Sequence, residues 1–353
     1  QGTFFLRKNV TFLGLKAAQM TLFRRYHCVI RTVLKSKYMM DDLGIVLSGG
    51  GVKGVGHIGF LQALKEYGIE PKYVAGTSAG ALVGALYAAG YDSKAMMEFF
   101  KETPLISWLY YSTSKPGLLD TNKYRIHFEK YLPNNAFEEL DRQLFIMTTD
   151  IESGTSVTHS EGALIKPLMA SCSVPLIFSP VRIDGVLHSD GGVMNNFPVE
   201  PLQKIGVPKI LGSYVCSTLP TEAKSLSTSL KVMLRAFDLS QEALCVHKFQ
   251  HCDYVIAPKD LWKVGFLDSK AVKMAYDIGY QSTLDNIDQI IDALELDPSL
   301  KERPVLDPSN YDLDNNSEEP HTEKEQKEKP SSSYFDIWPL NWAFGKSEEE
   351  KVS

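Results

Sequence analysis

The stretch Lys72–Gly90, "KYVAGTSAGALVGALYAAG", predicts a strand, a tight turn and a helix in immediate succession. Its first residues, Lys72–Ala75, form a β-rich apolar run, and the turn Gly76–Gly80 has the pattern G-x-S-x-G. Glycines two positions before and after Ser78 permit a sharp strand-to-helix turn that exposes the serine hydroxyl at the head of the helix. Because this is the setting of a nucleophile elbow, it favours Ser78 as a nucleophile over a residue of a plain tight turn.

A second glycine-rich turn lies upstream. The stretch Ser48–Gly54, "SGGGVKG", follows the apolar run Leu43–Leu47 and fits G-x-G-x-x-G, whose unpaired N–H groups favour negative charge. A dinucleotide site requires an acidic residue at the end of the next strand, but Glu70 stands before that strand. A phosphate-binding loop requires Lys followed by Ser or Thr, but Lys53 is followed by Gly54. We therefore favour a turn that stabilises the oxyanion of an acyl intermediate.

A serine nucleophile needs a group that accepts its proton. Asp190 in "HSDGGVMNNFPVEPL" closes the strand-like "VRIDGVLHS", and Gly191–Gly192 let the chain turn beside it. His57, His159 and His188 are histidine candidates, but none stands in a recognisable triad context. On the alternative interpretation, Asp190 only shapes a turn and the histidines are structural. Asp190 is the sharper candidate for the base.

The stretches "GGGVKG", "GTSAG" and "DGG", in this order and with "SCSVPLIFSP" between the last two, resemble the patatin-like phospholipases, bacterial branch. The resemblance implies a three-layer α/β/α sandwich with a mainly parallel central sheet. It also implies a lipid acyl hydrolase of the phospholipase A or lysophospholipase type, which acts without a cofactor or metal and releases fatty acid through an acyl-enzyme. The implied serine–aspartate dyad has no histidine. Its residues are Ser78 as nucleophile, Asp190 as proton acceptor, and Gly49, Gly50 and Gly51 as the oxyanion hole.

The other motif residues have supporting roles on this interpretation: Lys53, Gly54, Gly76, Gly80, Gly191 and Gly192. Lys53 either adds positive potential for a lipid phosphate or the oxyanion, or is a solvated lysine at a helix start. The segments Pro104–Asp120 and Val174–Pro180 are candidates for an acyl groove, the first as a mobile flap or as an ordinary helix and loop.

Two other functions remain open. The first is an acyltransferase on the same scaffold, although Thr77 occupies the position where such enzymes carry histidine, which favours hydrolysis. The second is a non-catalytic lipid-binding or scaffold protein. Neither the lipid head group nor a protein partner is indicated by the sequence.

Composition narrows the class of protein. The chain has 353 residues, of which 44% are apolar, a formal charge of −6 and a pI near 5.8. Because the middle of the chain has no dominant basic stripe, nucleic-acid binding is not expected. Five scattered cysteines without a Cys-x-x-Cys pair indicate reduced thiols, no zinc site and a cytoplasmic location. Since no apolar run reaches the roughly 18 to 20 residues of a spanning helix, any membrane contact is expected to be peripheral.

Four regions follow from the pattern along the chain. Residues 1–40 form a basic extension, which is a transit peptide or membrane-surface helix, or lies outside the fold if translation starts at Met39 or Met40. Residues 41–260 form the catalytic α/β domain. Residues 261–303 add a helical part packed on the core, with a helix over Ser269–Leu296 that is either continuous or broken near Gly279.

Residues 304–353 are predicted to be a disordered polar tail. Its aromatic stretch Tyr334–Phe344, "YFDIWPLNWAF", either docks on the core or binds a partner or membrane. The strands expected in the α/β domain are Leu43–Leu47, Lys72–Ala75, Leu144–Thr149, Val181–Ile183, Lys209–Ser213 and Tyr254–Ala257.

Overall fold

The computed structural model describes residues 40–103, 110–112 and 115–302. The predicted basic extension, apart from its last residue, lies outside the described residues. So do the predicted tail with its aromatic stretch and most of the first half of the predicted flap. Among the residues described, no helix combines the length and the apolar character that crossing a bilayer requires.

Eight strands in the described part of the chain form one mixed sheet. They are β1 Met40–Leu47, β2 Pro71–Thr77, β3 Gln143–Asp150, β4 Thr155–His159, β5 Val181–Ile183, β6 Val186–Asp190, β7 Lys209–Ser213 and β8 Tyr254–Ile256. The hydrogen-bonded order is β5-β6-β3-β2-β1-β7-β8, with β4 also paired to β3. The run from β3 to β8 is parallel, whereas β4 and β6 pair antiparallel with β3, and β5 pairs antiparallel with β6.

Helices lie on both sides of this sheet. They are α1 Gly56–Glu66, α2 Ala79–Ala88, α3 Ser93–Glu102, α4 Arg125–Tyr131, α5 Ile165–Ser171, α6 Glu200–Lys204, α7 Ser229–Cys245, α8 Val272–Asp285 and α9 Ile287–Ala293. Short 3-10 turns connect several of them, including Gly51–Val55 between β1 and α1.

The alternation of side chains along the strands builds the three layers. Val46, Ala75 and Phe145 are register partners and share one face, where they join a buried cluster with Phe197 and Leu202 before and within α6. The residues one position earlier on β2 and β3, together with Leu47, face α2 on the other side, where Gly84 lies against them. The predicted three-layer α/β/α fold is thus confirmed.

Two parts of the sheet differ from the predicted strand pattern. The stretch expected as one strand before Asp190 is a hairpin, because Asp184 and Gly185 both have positive φ (48° and 90°) and reverse the chain between β5 and β6. The strand β4 has no predicted counterpart, because its residues are polar and largely exposed and carry no hydrophobic alternation.

Helix α8 packs against α1, and the break near Gly279 that the sequence left open does not occur. Gly279 lies inside α8, and the break falls at Asn286, between α8 and α9. A Cβ on Gly279 would lie 2.0 Å from Gly56 O, and one on Gly59 would lie 2.1 Å from Tyr276 O. These glycines therefore allow the backbones of α1 and α8 to touch, and the sequence signal was a close approach rather than a helix end.

Candidate active site

Ser78 occupies the turn between β2 and α2 that the sequence predicts. Its backbone has φ 53° and ψ −124°, a conformation that costs a non-glycine residue about 1–3 kcal/mol. The flanking glycines are required by close contacts: a Cβ on Gly76 would lie 2.6 Å from Gly80 O, and one on Gly80 would lie 2.2 Å from Leu47 O. The strained turn is therefore held by backbone packing on both sides.

Two further contacts fix this turn from distant parts of the chain. The Ser78 N–H donates to Ser171 Oγ at 2.8 Å, and the Thr77 hydroxyl donates to Asn195 O at 2.8 Å. The sequence analysis missed both partners, since neither Ser171 nor Asn195 stands in a pattern that signals such a contact. Because its own N–H already has a partner, Ser78 does not offer that group to a substrate.

The sheet brings Asp190 to Ser78 through the length of β3. Strand β2 pairs with β3 up to the register pair Thr77–Met147, and β6 pairs with it from Thr148, opposite Asp190. Since β4 pairs with β3 over both stretches, it occupies the other edge, and β2 and β6 meet end to end along the first edge. The nucleophile candidate follows the end of one strand, and the carboxylate closes the other.

The Asp190 carboxylate is almost completely buried, with 1% exposed. Its Oδ1 accepts the Gly192 N–H at 2.7 Å, while Oδ2 has no hydrogen-bond partner among the described residues. Burial raises the pKa of Asp190 to about 7, although the nearby Ser78 hydroxyl and the Gly192 N–H favour the charged form. A carboxylate with this pKa is a far stronger base near neutral pH than an exposed aspartate.

The glycine-rich turn offers two of its three predicted donors. The Gly49 N–H donates to Asn196 Oδ1 at 3.1 Å and lies 3.4 Å from Asn196 O. No hydrogen bond within the described residues uses the N–H of Gly50 or Gly51, and the next donor, Val52 N–H, is bonded to Phe266 O at 3.0 Å. The available donors in this turn are therefore Gly50 and Gly51.

The supporting glycines also stand at close contacts. A Cβ on Gly54 would lie 2.4 Å from Ala79 Cβ, and one on Gly191 would lie 2.4 Å from Met147 O. A Cβ on Gly192 would lie 2.4 Å from Gln241 Nε2. At these positions the glycine-rich turn, α2 and the turn after Asp190 approach their neighbours too closely for a side chain.

Lys53 is not the solvated lysine of one sequence interpretation. Its side chain is buried, and Nζ lies 3.6 Å from Asp238 Oδ2 on α7. Burial raises the pKa of Asp238, and the Lys53 charge opposes that rise. The structure therefore places this lysine in an ion pair with α7.

The three histidine candidates are bonded elsewhere. Both ring nitrogens of His57 have partners, Ser213 Oγ at 2.9 Å and Ser48 O at 2.8 Å, and burial lowers its pKa to about 4. His159 and His188 share the hydroxyl of Thr148, at 2.8 and 2.9 Å. In the described parts of the chain, no hydrogen bond joins any of them to Ser78. No group of His, Cys, Asp or Glu side chains in those parts is arranged to hold a metal.

An open cavity of about 100 Å³ lies beside Ser78. Val174 and Phe178 line it, so the predicted groove segment 174–180 contributes as expected. Helix α3 and the segment before α8 also contribute, which the sequence analysis did not anticipate. Its apolar lining includes Leu82, Phe99, Phe128, Met169, Phe266 and Leu267.

Comparisons with known proteins agree on one family. Residues 45–202 match the family model described as patatin-like phospholipase. The chain is 28% identical over 277 residues to human "patatin-like phospholipase domain-containing protein 6", covering 68% of this chain and 20% of that protein. It is 27% identical over 267 residues to an uncharacterized NTE family protein of Mycobacterium tuberculosis, covering 67% of this chain and 45% of that protein. The chain thus spans less than half the length of either relative.

Among solved structures, VipD from Legionella pneumophila aligns with a TM-score of 0.37 and 16% identity. The alignment covers 71% of this chain and 67% of that chain.

Proposed function

We propose that this chain, which matches the patatin-like phospholipase family model over residues 45–202, is a lipid acyl hydrolase with a Ser78–Asp190 dyad. One observation carries the proposal. Ser78 sits in a strained turn, next to a buried carboxylate whose pKa is about 7, and also lines an apolar cavity. A nucleophile, its base and a binding space for an acyl chain therefore meet at one residue.

The reaction begins when the Ser78 hydroxyl attacks the carbonyl carbon of a lipid ester. Asp190 accepts the hydroxyl proton, and a C–O bond forms between the serine and the acyl group. The N–H groups of Gly50 and Gly51 stabilise the negative charge on the former carbonyl oxygen. When the tetrahedral intermediate collapses, the bond to the leaving alcohol breaks, and Asp190 returns the proton to that oxygen.

Water completes the cycle. Asp190, again ionised, accepts a proton from a water molecule that attacks the acyl-enzyme. Collapse of the second intermediate releases the fatty acid and restores the Ser78 hydroxyl. Because histidine has no part in these steps, the pKa of about 7 at Asp190 supplies the basicity that imidazole supplies in a triad.

The substrate class follows from the cavity. Ten of its 17 lining residues are leucine, methionine, valine or phenylalanine, and such side chains suit an acyl chain rather than a polar group. We assign phospholipids or lysophospholipids as the ester substrates, in line with the family. Lys53 is tied to Asp238 on α7, so we assign it no direct contact with a phosphate.

The test compares the full chain with its Ser78→Ala variant on short-chain chromogenic esters and on defined phospholipids. We expect Ser78→Ala to lower kcat by at least about 10³-fold, because nucleophile and base act as one unit. Labelling by a fluorophosphonate should likewise be lost. Ser160→Ala, an exposed serine, is the matched control and should retain both activity and labelling.

Hydrolysis that persists in Ser78→Ala would exclude the mechanism. If an added alcohol becomes acylated faster than fatty acid is released, the protein is an acyltransferase. If it binds phospholipid tightly but cleaves no ester, it is a lipid-binding protein.

A further inference from the structure

Helix α7 is exposed along most of its length. Only Gln241 and Cys245 among its 17 residues are buried. Its exposed side includes a run of small and aliphatic residues at spacings of four, three, four and three, which is one face of a helix. This run, extended by Leu244 and called here the α7 stripe, consists of Val232, Ala236, Leu239, Ala243, Leu244 and Val246.

The large residues of the α7 stripe are about half exposed: Val232 49%, Leu239 46%, Leu244 44% and Val246 51%. At 1.5 Å per residue, the stripe extends over about 21 Å. Scattered single apolar residues on a surface are ordinary, whereas five of these six residues follow one face of the helix, with Leu244 to the side of that face.

The inner side of α7 combines half-buried apolar residues, such as Leu234 and Phe237, with polar groups that have partners on the core. Asp238 forms the ion pair with Lys53, and Gln241 reaches the turn at Gly192. Arg235 donates to Leu219 O at 2.7 Å, and Glu242 accepts hydrogen bonds from Thr218. Rolling the helix to bury its apolar side would separate these groups, so the α7 stripe cannot be hidden within the fold at low cost.

The charges of α7 favour an anionic partner. Both acidic residues of the helix, Asp238 and Glu242, are engaged on its inner side. Among the exposed residues of α7 the only charged one is Lys231, and the exposed His247 follows the helix. An apolar row that begins beside Lys231, on a helix without an exposed carboxylate, is compatible with an anionic lipid surface, which attracts a nearby lysine.

The size of the α7 stripe argues against a second copy of the chain as the occupant. Burying a whole valine or leucine side chain removes roughly 60–120 Å² from water, so four half-exposed ones offer about 200 Å². A specific dimer buries about 800 Å² on each partner. Binding to a lipid surface requires no such minimum buried area, since aliphatic side chains enter its apolar layer one by one.

We propose that the α7 stripe docks this protein on an anionic lipid surface. The proposal goes beyond the lipid acyl hydrolase function, because it concerns where the chain binds and not which bond it breaks. It is tested in a Ser78→Ala background, which leaves the lipid intact, so that its failure is distinguishable from a failure of the proposed chemistry.

The experiment is vesicle flotation with the full chain. The vesicles contain phosphatidylcholine alone or phosphatidylcholine mixed with phosphatidylglycerol. The test variant is Leu239→Gln with Leu244→Gln, which keeps good helix-forming residues. The matched control is Ile126→Gln on α4, where the isoleucine is 64% exposed but belongs to no such row.

We expect the parent protein to float with the anionic vesicles. The double variant should lower the partition coefficient by at least about tenfold, because two leucines no longer enter the apolar layer. The control should stay within about twofold of the parent, since a single exposed isoleucine is ordinary. Lys231→Glu should weaken binding to anionic vesicles and leave binding to neutral ones unchanged.

Circular dichroism checks that each variant is folded, and the single variants Leu239→Gln and Val232→Gln replace the double one if it is not. The proposal is overturned if the parent does not float, if the stripe variants float as the parent does, or if Ile126→Gln loses as much binding. It is also overturned if sedimentation shows a dimer that the double variant dissociates, because the α7 stripe is then an interface between copies.

Discussion

Helices α2 and α7 both contact the candidate active site, yet opposite kinds of interaction hold them. All ten residues of α2 are buried, and the helix is apolar on every side. Of the 17 residues of α7, only two are buried, and its inner contacts are an ion pair and side-chain hydrogen bonds. Helix α2 presents Ser78 at its start, while α7 reaches Lys53 and the turn after Asp190.

The difference in how the two helices are held indicates that they serve different purposes. The position of Ser78 depends on backbone packing that tolerates no added atoms, so its geometry is set by the core. The contacts of α7 with that core include the largely buried Lys53–Asp238 pair and side-chain hydrogen bonds, whose strength depends on charge. We therefore expect substitutions in α2 to act on folding and those in α7 to act on electrostatics and binding.

The largest effect is expected where α2 touches β1. In Gly80→Ala the new Cβ would lie 2.2 Å from Leu47 O and 2.5 Å from Ser48 O, both of them backbone atoms that cannot move aside. We expect a loss of about 4 kcal/mol or more in the free energy of unfolding, measured by urea denaturation.

Gly84→Ala in the same helix is the matched control. Its Cβ would lie 2.9 Å from Val74 Cγ1, a side-chain atom that can shift, and alanine also favours the helix. A cost of about 1 kcal/mol is expected for it. Equal costs at both positions would show that α2 is not held by this backbone contact.

The second prediction concerns Asp190, which lies between the two helices. If Asp190 is the base, kcat/KM on a soluble ester should rise with pH and level off above about 7, the pKa to which burial raises this group. Asp190→Asn should lower kcat by at least about 10³-fold. A pH profile without this inflection would remove Asp190 from the role of base.

The stability of the protein should depend on the same ionisation. Between the ordinary aspartate pKa of 3.8 and the raised value of about 7, the folded chain keeps a proton on Asp190 that the unfolded chain has released. Stability from this group is therefore present at low pH and is lost as pH rises through that window. Relative to the parent, Asp190→Asn should become more stable as pH rises from 4 to 8, by up to about 4 kcal/mol. A difference that does not change with pH would contradict the raised pKa.

A smaller effect is expected at the inner face of α7. Lys53→Met leaves Asp238 buried without its partner and should cost about 2–3 kcal/mol, somewhat less than a fully buried pair because 15% of the Asp238 side chain is exposed. In Lys53→Met with Asp238→Leu the unpaired charge is gone, and most of that loss should be recovered. A double variant no more stable than Lys53→Met, measured by urea denaturation at neutral pH, would mean that the pair does not anchor α7.

The same contrast explains what the sequence could predict. The Ser78 turn was predictable because its glycines, strand and helix lie within 20 residues and each element is apolar. The parallel strands were predictable from their apolar runs, and the motif around Asp190 indicated a turn at the end of a strand. Each of these features can be predicted from a local sequence pattern, and so can the fully buried helix α2.

The missed features depend on residues far apart in the chain. The Gly49 N–H is bonded to Asn196, 147 positions away, and Lys53 is paired with Asp238 on α7. No local pattern reveals that such a donor is occupied or that such a lysine is buried. The packing role of Gly279 was not predictable for the same reason, since its contact, Gly56, lies in another helix.

The smallest effect on the free energy of unfolding is expected for a leucine on the outer face of α7. A leucine of α2 serves as the comparison. Leu86 in α2 is fully buried, whereas Leu239 in the α7 stripe is 46% exposed. Leu86→Ala should cost about 2–5 kcal/mol, because it leaves a cavity in a packed core. Leu239→Ala should change the free energy of unfolding by less than about 0.5 kcal/mol, because nearly half of this side chain is already in contact with water.

Urea denaturation of the two variants in the absence of lipid measures this difference. If Leu239→Ala costs more than about 1 kcal/mol, the α7 stripe is packed against part of the chain in solution, and it is not free to dock on a membrane. If it costs nothing while it lowers vesicle binding, then the leucine serves binding rather than folding. The two helices would then differ in function as they differ in burial.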